Sequence, residues 1–193
     1  VRTWAEYEAA EQIAWAAPGI AEVENTISVQ PAMMCPDKLA AYLRDNQISY
    51  EAQHHSTAYT AQGVASSEHL PGHMVAKVVM AVADGKLVML VLPADLRVEL
   101  SKARTVLNAR ELWLADEPVF APRFPDCDVG AMPPFGNLYD LPVYVDQTLA
   151  HNRTIVFQAG THTDTIRIRY VDFAQLVKPI EVDIAQETDI AVG

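Results

Sequence analysis

His73-Met74-Val75-Ala76-Lys77-Val78-Val79-Met80-Ala81-Val82 is a near-continuous apolar run with a single lysine at its centre. Asp84-Gly85 follows it, and then a second apolar run, Lys86-Leu87-Val88-Met89-Leu90-Val91-Leu92. Asp-Gly between two such runs is a strong hairpin signal, because glycine accepts the positive φ that a type I′ turn demands. The reading is an antiparallel hairpin over residues 74–92, with Lys77 in mid-strand. A charged amine there either faces water or lines a pocket that receives an anion or a carbonyl oxygen.

The segments around the hairpin read as short alternating elements. Pro36 to Asn46 has proline at a first helical turn and Leu39, Tyr42 and Leu43 on one face. Ile48 to Gln53 reads as a strand, and Thr60 as the cap of a short helix reaching Glu68, stopped by Pro71-Gly72. After the hairpin, Asp95 reads as the cap of a helix of about ten residues, with Leu96, Leu100 and Ala103 facing in. Leu112–Leu114 is a short strand, and Asp116-Glu117-Pro118 opens another short helix. Residues 121–137 hold four prolines and two glycines and read as loop. Pro142–Val145, Thr154–Ala159 and Thr165–Tyr170 read as strands. The last alternates Ile with Arg, so one face is buried and the other basic. Phe173–Val177 starts a final helix that Lys178-Pro179 stops. Short strands closed by turns, with helices between them, predict an α+β domain on a mixed or antiparallel sheet.

Bulk properties narrow the class. The chain has 193 residues, half of them hydrophobic, and a net charge of −11. The acidity is concentrated at the ends. Residues 1–51 carry eight acids and three bases, and residues 181–193 four acids and no base. That balance disfavours a broad phosphate-binding surface but allows a basic patch around one pocket. No apolar run reaches the ~20 residues of a membrane span, so no membrane partner is expected. Cys35 and Cys127 form no CxxC and no zinc spacing, which fits reduced thiols and a cytoplasmic protein. GxGxxG, Walker, HExxH and GxSxG motifs are absent from the sequence. The six histidines provide no properly spaced ligand set, so neither a metal nor a cofactor is expected.

Residues 1–32 are read as a separate helix–strand extension. A helix over 3–17, Pro18-Gly19, and a strand carrying Val23, Ile27 and Val29 resemble the second half of a BON domain. A plain extension packed on the main domain explains the same pattern. The remainder, 33–193, is read as one domain.

Four segments of that domain have a familiar order. They are His54-His55-Ser56-Thr57-Ala58-Tyr59-Thr60-Ala61, Pro71-Gly72-His73-Met74-Val75-Ala76-Lys77, Val129-Gly130-Ala131-Met132-Pro133-Pro134-Phe135-Gly136 running on to Val143-Tyr144-Val145-Asp146, and Ala159-Gly160-Thr161-His162-Thr163-Asp164-Thr165-Ile166. The arrangement resembles the YbaK/ProX family of aminoacyl-tRNA deacylases, the trans-editing relatives of the prolyl-tRNA synthetase insertion domain, over residues 37–180. The resemblance implies a curved mixed or antiparallel sheet, or a barrel, with surrounding helices. It implies hydrolysis of the ester of a mischarged aminoacyl-tRNA carrying a small amino acid such as Cys, Ala or Ser. The partners would be the acceptor end of the tRNA and an aminoacyl-tRNA synthetase.

The family's central lysine maps onto Lys77, and its Gly-x-x-x-Pro loop onto Gly130 to Pro134. An ammonium in a partly apolar pocket can bind substrate oxygens, and a glycine-loop N–H can stabilise the oxyanion of ester hydrolysis. Thr60, Gly160 and His162 are carried over as substrate-binding positions. Tyr59 and Phe135 either stack on the terminal adenine or pack at the rim. His54 or His55 either lines the pocket mouth or is hydrogen-bonded at a strand end. Thr165 stands where some members have an aspartate, which leaves the selected amino acid open. Arg167 and Arg169 share a strand face. They form either a contact patch for tRNA or a solvated row of ion pairs. A non-catalytic ligand-binding or regulatory module on the same fold is the alternative function.

Overall fold

The computed structural model describes residues 37–55 and 57–187. The chain divides into two units, Val1–Met34 and Cys35–Gly193, and every described residue belongs to the second. The expected helix and strand of the first 32 residues, with their BON-like pattern, lie outside the described residues.

The hairpin forms as expected. β2 (Ala76–Ala83) pairs antiparallel with β3 (Lys86–Pro93), from Ala76 opposite Pro93 to Ala83 opposite Lys86. Asp84 and Gly85 have φ values of 47° and 77°, the two positive angles of a type I′ turn. Asp84 also ties down the next segment, its Oδ1 accepting from the backbone N–H groups of Arg110 (2.9 Å) and Glu111 (3.0 Å).

The hairpin is the centre of a five-stranded mixed sheet. Its order is β5 (Leu112–Leu114), β2, β3, β6 (Val143–Asp146) and β9 (Ile180–Val182), with β6 parallel to both β3 and β9. β3 is buried along nearly its whole length, because both of its sheet faces are covered. Met89 and Val91 enter the main core, with Phe135, Phe157, Ile166 and Phe173, while Val88 and Leu90 enter a smaller cluster with Ala81, Ala103 and Ile184. A second sheet has the order β1 (Glu51–His54), β8 (Asp164–Arg169), β7 (Thr154–Gln158), all antiparallel. A parallel bridge between Val75 and Val156 connects it to the start of β2. The remaining pair is β4 (Leu96–Val98) with β10 (Ala185–Glu187).

Among the described residues, six α-helices accompany the sheets: α1 (Asp37–Asp45), α2 (Ala61–Ser67), α3 (Leu100–Val106), α4 (Glu117–Phe120), α5 (Gln147–Ala150) and α6 (Tyr170–Val177). Thr60 caps α2, its Oγ1 accepting from Gly63 N at 3.0 Å. No helix among the described residues is long and apolar enough to cross a membrane.

The segment after the hairpin differs from expectation. Asp95 caps nothing. Leu96–Val98 is strand, and Glu99 caps α3 through Ser101 N and Lys102 N, at 3.2 and 2.7 Å. The reason is non-local: β10, far along the chain, pairs with Leu96–Val98 and draws it out of the helix. Lys77 is also not in mid-strand. It is the second residue of β2. The basic face of β8 is a row of ion pairs. Arg169 holds Asp172 bidentately (2.6 and 2.7 Å), and Arg167 lies 3.8 Å from Glu51.

Candidate active site

A cavity of about 390 Å³ opens at the start of β2. Lys77, Gly130 and Thr60 line it together, three residues from separate segments. Gln62, Gln158, Met132 and Arg97 add to its polar and polarisable wall. Among the described residues, the charged side chains that line it are basic, Lys77 and Arg97.

Lys77 is half-buried and held by the chain that leaves the hairpin. Its Nζ donates to the carbonyl of Ala94 at 3.3 Å and to that of Leu96. Burial lowers its pKa from the ordinary lysine value, and the nearby Asp95 carboxylate offsets part of that. An ammonium has three donors. Two are committed to these carbonyls, which leaves one for a ligand oxygen.

Gly130 faces the same space. Its φ of 90° is a conformation that side chains rarely adopt. A side chain there would begin 3.7 Å from the Cε1 atom of His162. The Gly130 N–H points to the Met132 sulfur at 3.2 Å. A thioether is a weak acceptor, so this donor is poorly satisfied and open to a stronger one.

The loop is pinned to the turn after β7. Gly160 donates to Ala131 O (2.9 Å) and accepts from Asp128 N (2.8 Å). The turn itself is organised by Asp164. Its carboxylate accepts from Thr161 and Thr163 and meets His54 Nδ1 at 2.7 Å. Burial works against the charge on Asp164, yet these partners outweigh it and hold the carboxyl below its usual range. His162 projects from this turn, its ring 4.9 Å from the exposed ring of Tyr59 and its Nδ1 3.4 Å from Gln158 Nε2.

The other expected site residues are not brought to the cavity wall. Phe135 is a correction. It is 0% exposed and packs on Phe157 and Phe173 at 5.6 and 5.7 Å between ring centroids. It is a core residue, because burying an aromatic ring among others is worth more than presenting it at a rim. Pro134 is likewise buried. His54 is engaged by Asp164 and mostly exposed.

Thr165 is buried behind Gln158, its partner across the β7–β8 ladder. Its hydroxyl donates to Glu68 Oε1 at 2.5 Å, and His55 Nε2 lies 3.9 Å from the same oxygen. The Glu68 and His55 side chains are 2% and 4% exposed. A carboxylate from the end of α2 therefore reaches the strand position where some relatives carry an aspartate. Glu68→Ala is expected to cost about 1–3 kcal/mol, since the buried Thr165 hydroxyl loses its acceptor. Glu68→Gln keeps an acceptor and should recover most of the loss. Urea titration checks this, and equal stability of the wild type and the alanine variant would contradict it.

Gln158, Met132, Arg97 and Glu68 escaped the sequence reading. The available signal for Gln158 was a lone amide ending the apolar strand Thr154–Ala159. Arg97 was hidden by the incorrect helix start at Asp95.

Comparisons with known proteins bear on the fold and the family. The "Aminoacyl-tRNA editing domain" family matches residues 55–176, more than half of the chain. Among solved structures, the hypothetical protein APE2540 superposes with a TM-score of 0.71 at 13% identity, covering 78% of this chain and 100% of that one. A candidate trans-editing enzyme for prolyl-tRNA synthetase superposes with a TM-score of 0.67 at 18% identity, covering 77% and 95%. No curated protein matches the chain significantly. The α+β fold built on the Lys77 hairpin is shared with these structures, and the chain belongs to the aminoacyl-tRNA editing domain family.

Proposed function

We propose that this protein is a trans-editing deacylase that hydrolyses the ester of a mischarged aminoacyl-tRNA. The observation that carries the reading is the meeting of the Lys77 ammonium and the Gly130 N–H on one cavity. Each has hydrogen-bonding capacity to spare. The cavity would take the aminoacyl group and part of the terminal adenosine, and its volume is in the range of small-molecule sites.

Water adds to the ester carbonyl, and the carbonyl oxygen becomes an oxyanion. Gly130 N–H turns from the Met132 sulfur to that oxygen, and Lys77 supplies positive charge beside it. The C–O bond to the ribose then breaks, and the proton given up by the water ends on the ribose hydroxyl. The products are the free amino acid and the uncharged tRNA. An aminoacyl ester is already activated, so positioning and oxyanion stabilisation suffice without a nucleophilic side chain. His162 and Tyr59, beside Gly130, form the flank on which the adenine would rest, and Thr60, next to Tyr59 in sequence, lines the cavity. The amino acid would be small, such as Cys, Ala or Ser. The setting would be cytoplasmic, with an aminoacyl-tRNA synthetase holding the tRNA body that this acidic chain does not grip.

The test is a deacylation screen over tRNAs mischarged with each small amino acid. Hydrolysis of at least one, well above the spontaneous rate, is expected. If none is hydrolysed and a small molecule binds the cavity instead, the fold serves here as a binding module.

A further inference from the structure

We infer that Gln158 is a specificity residue of this cavity, its side-chain oxygen accepting a hydrogen bond from the α-amino group of the aminoacyl ester. The inference rests on the deacylase reading and deepens it. Gln158 ends β7. Val156, two residues earlier on the same strand face, packs in a cluster with Ala58, Val64, Val75 and Ala94. Gln158 therefore continues an apolar face with an amide. It is 7% exposed and lines the cavity. A buried amide is costly unless its polar atoms are used.

The nitrogen of this amide is used within the protein. Nε2 donates to the Ala58 carbonyl at 2.9 Å and lies 3.4 Å from His162 Nδ1. Ala58 is itself fixed, its N–H donating to His162 O at 2.8 Å. A carbonyl only accepts, so the amide cannot turn over, and Oε1 is held on the side away from Ala58. Among the described residues no donor hydrogen-bonds to Oε1, and the atom is not sealed off by protein. It is an acceptor with a fixed position and no task inside the fold.

The neighbouring groups show which ligand atom it suits. The Lys77 ammonium and the Gly130 N–H are donors and take the ester carbonyl oxygen. Thr60 Oγ1 already accepts from Gly63 N at 3.0 Å. Beside its carbonyl an aminoacyl ester carries one strong donor of its own, the α-amino group, which donates in either protonation state. That donor needs an acceptor on the cavity wall, and Gln158 Oε1 provides one. A neutral amide serves better than a carboxylate, which would compete for the Lys77 ammonium in the same cavity. The favoured substrates are esters with a free α-amino group. An acyl ester without one leaves Oε1 unpaired, which a site built around a hydrogen bond penalises.

The experiment compares alanyl-tRNA with propionyl-tRNA, which differ only in the α-amino group. Gln158→Met keeps the length of the side chain and removes the strong acceptor. It should lower kcat/KM for the alanyl ester about tenfold more than for the propionyl ester, the usual cost of one such hydrogen bond. Comparing the two ratios cancels the different intrinsic reactivity of the esters. It also cancels the loss of the bond to Ala58, which falls on both substrates alike. A thermal melt of the variant accompanies the rates.

Binding supplies a measurement that needs no variant. The probes are the stable amides 3′-alanylamino-3′-deoxyadenosine and 3′-propionylamino-3′-deoxyadenosine, titrated by calorimetry. The wild type should bind the first about tenfold more tightly, and Gln158→Met should bind the two nearly alike. An alanyl-to-propionyl ratio unchanged by Gln158→Met would overturn the inference, as would equal binding of the two amides to the wild type or binding of neither. If the wild type cleaves no ester, the deacylase reading fails, while the two amides still decide whether Gln158 reads an amino group.

Discussion

Lys77→Ala is expected to lower the rate of deacylation by a factor on the order of 10²–10³, the usual cost of removing one oxyanion-stabilising group. The loss should fall mainly on kcat, because the contact strengthens as charge develops on the carbonyl oxygen. Lys86→Ala, which removes an exposed lysine at the hairpin turn, should change the rate little. The wild-type pH profile gives a second readout. Burial lowers the Lys77 pKa from 10.5, so the ammonium is complete below that lowered value and is lost as pH rises through it. After subtraction of spontaneous hydrolysis, the activity should decline on its alkaline side below pH 10.5.

The same shift bears on stability. The folded state holds this proton less tightly than the unfolded chain does. The burial cost is therefore full at low pH and fades as pH rises from the folded value towards 10.5. Undiminished activity of Lys77→Ala on every substrate cleaved would place the chemistry elsewhere.

Asp146→Ala should be the most destabilising of the substitutions considered, by about 3–5 kcal/mol. Asp146 ends β6 and is 1% exposed. Its Oδ1 caps α5 by accepting from Thr148 N (2.9 Å) and Thr148 Oγ1 (2.5 Å). Its Oδ2 accepts from Ile184 N (2.9 Å) and Ala185 N (2.8 Å). Alanine would leave two buried backbone donors without acceptors and loosen the segment that feeds β10. Because β10 pairs with β4, which carries Leu96 and Arg97, the cavity should loosen as well. Asp146→Asn keeps one acceptor oxygen and should lose roughly half as much. Denaturant midpoints measure the effect. An alanine variant within about 1 kcal/mol of wild type would show that Ile184 and Ala185 are held by other contacts.

The hairpin was legible because its causes are local. Two apolar runs and an Asp-Gly turn specify β2 and β3 without help from the rest of the chain. Thr60 capping α2, the Ile/Arg alternation of β8 and the stop at Lys178-Pro179 have the same character. So has Gly130, which stands where a φ of 90° excludes a side chain.

What escaped depends on contacts between distant segments. Leu96–Val98 has no strong strand signal of its own and becomes strand because β10 pairs with it. Phe135 reads equally as rim or core. Only the convergence of Phe157 and Phe173 on its ring decides for core. Glu68 and Thr165 are 97 residues apart, and no local pattern relates them. The sequence by itself determined the hairpin, the Thr60 cap, the glycine loop and the presence of a lysine that had to find a purpose. The tertiary structure alone decided that Lys77 and Gly130 line one cavity, and that Arg97 lines it from a strand rather than a helix. Turn chemistry acts over a few residues, whereas a cavity is made by side chains that the chain brings together only after its sheets have paired.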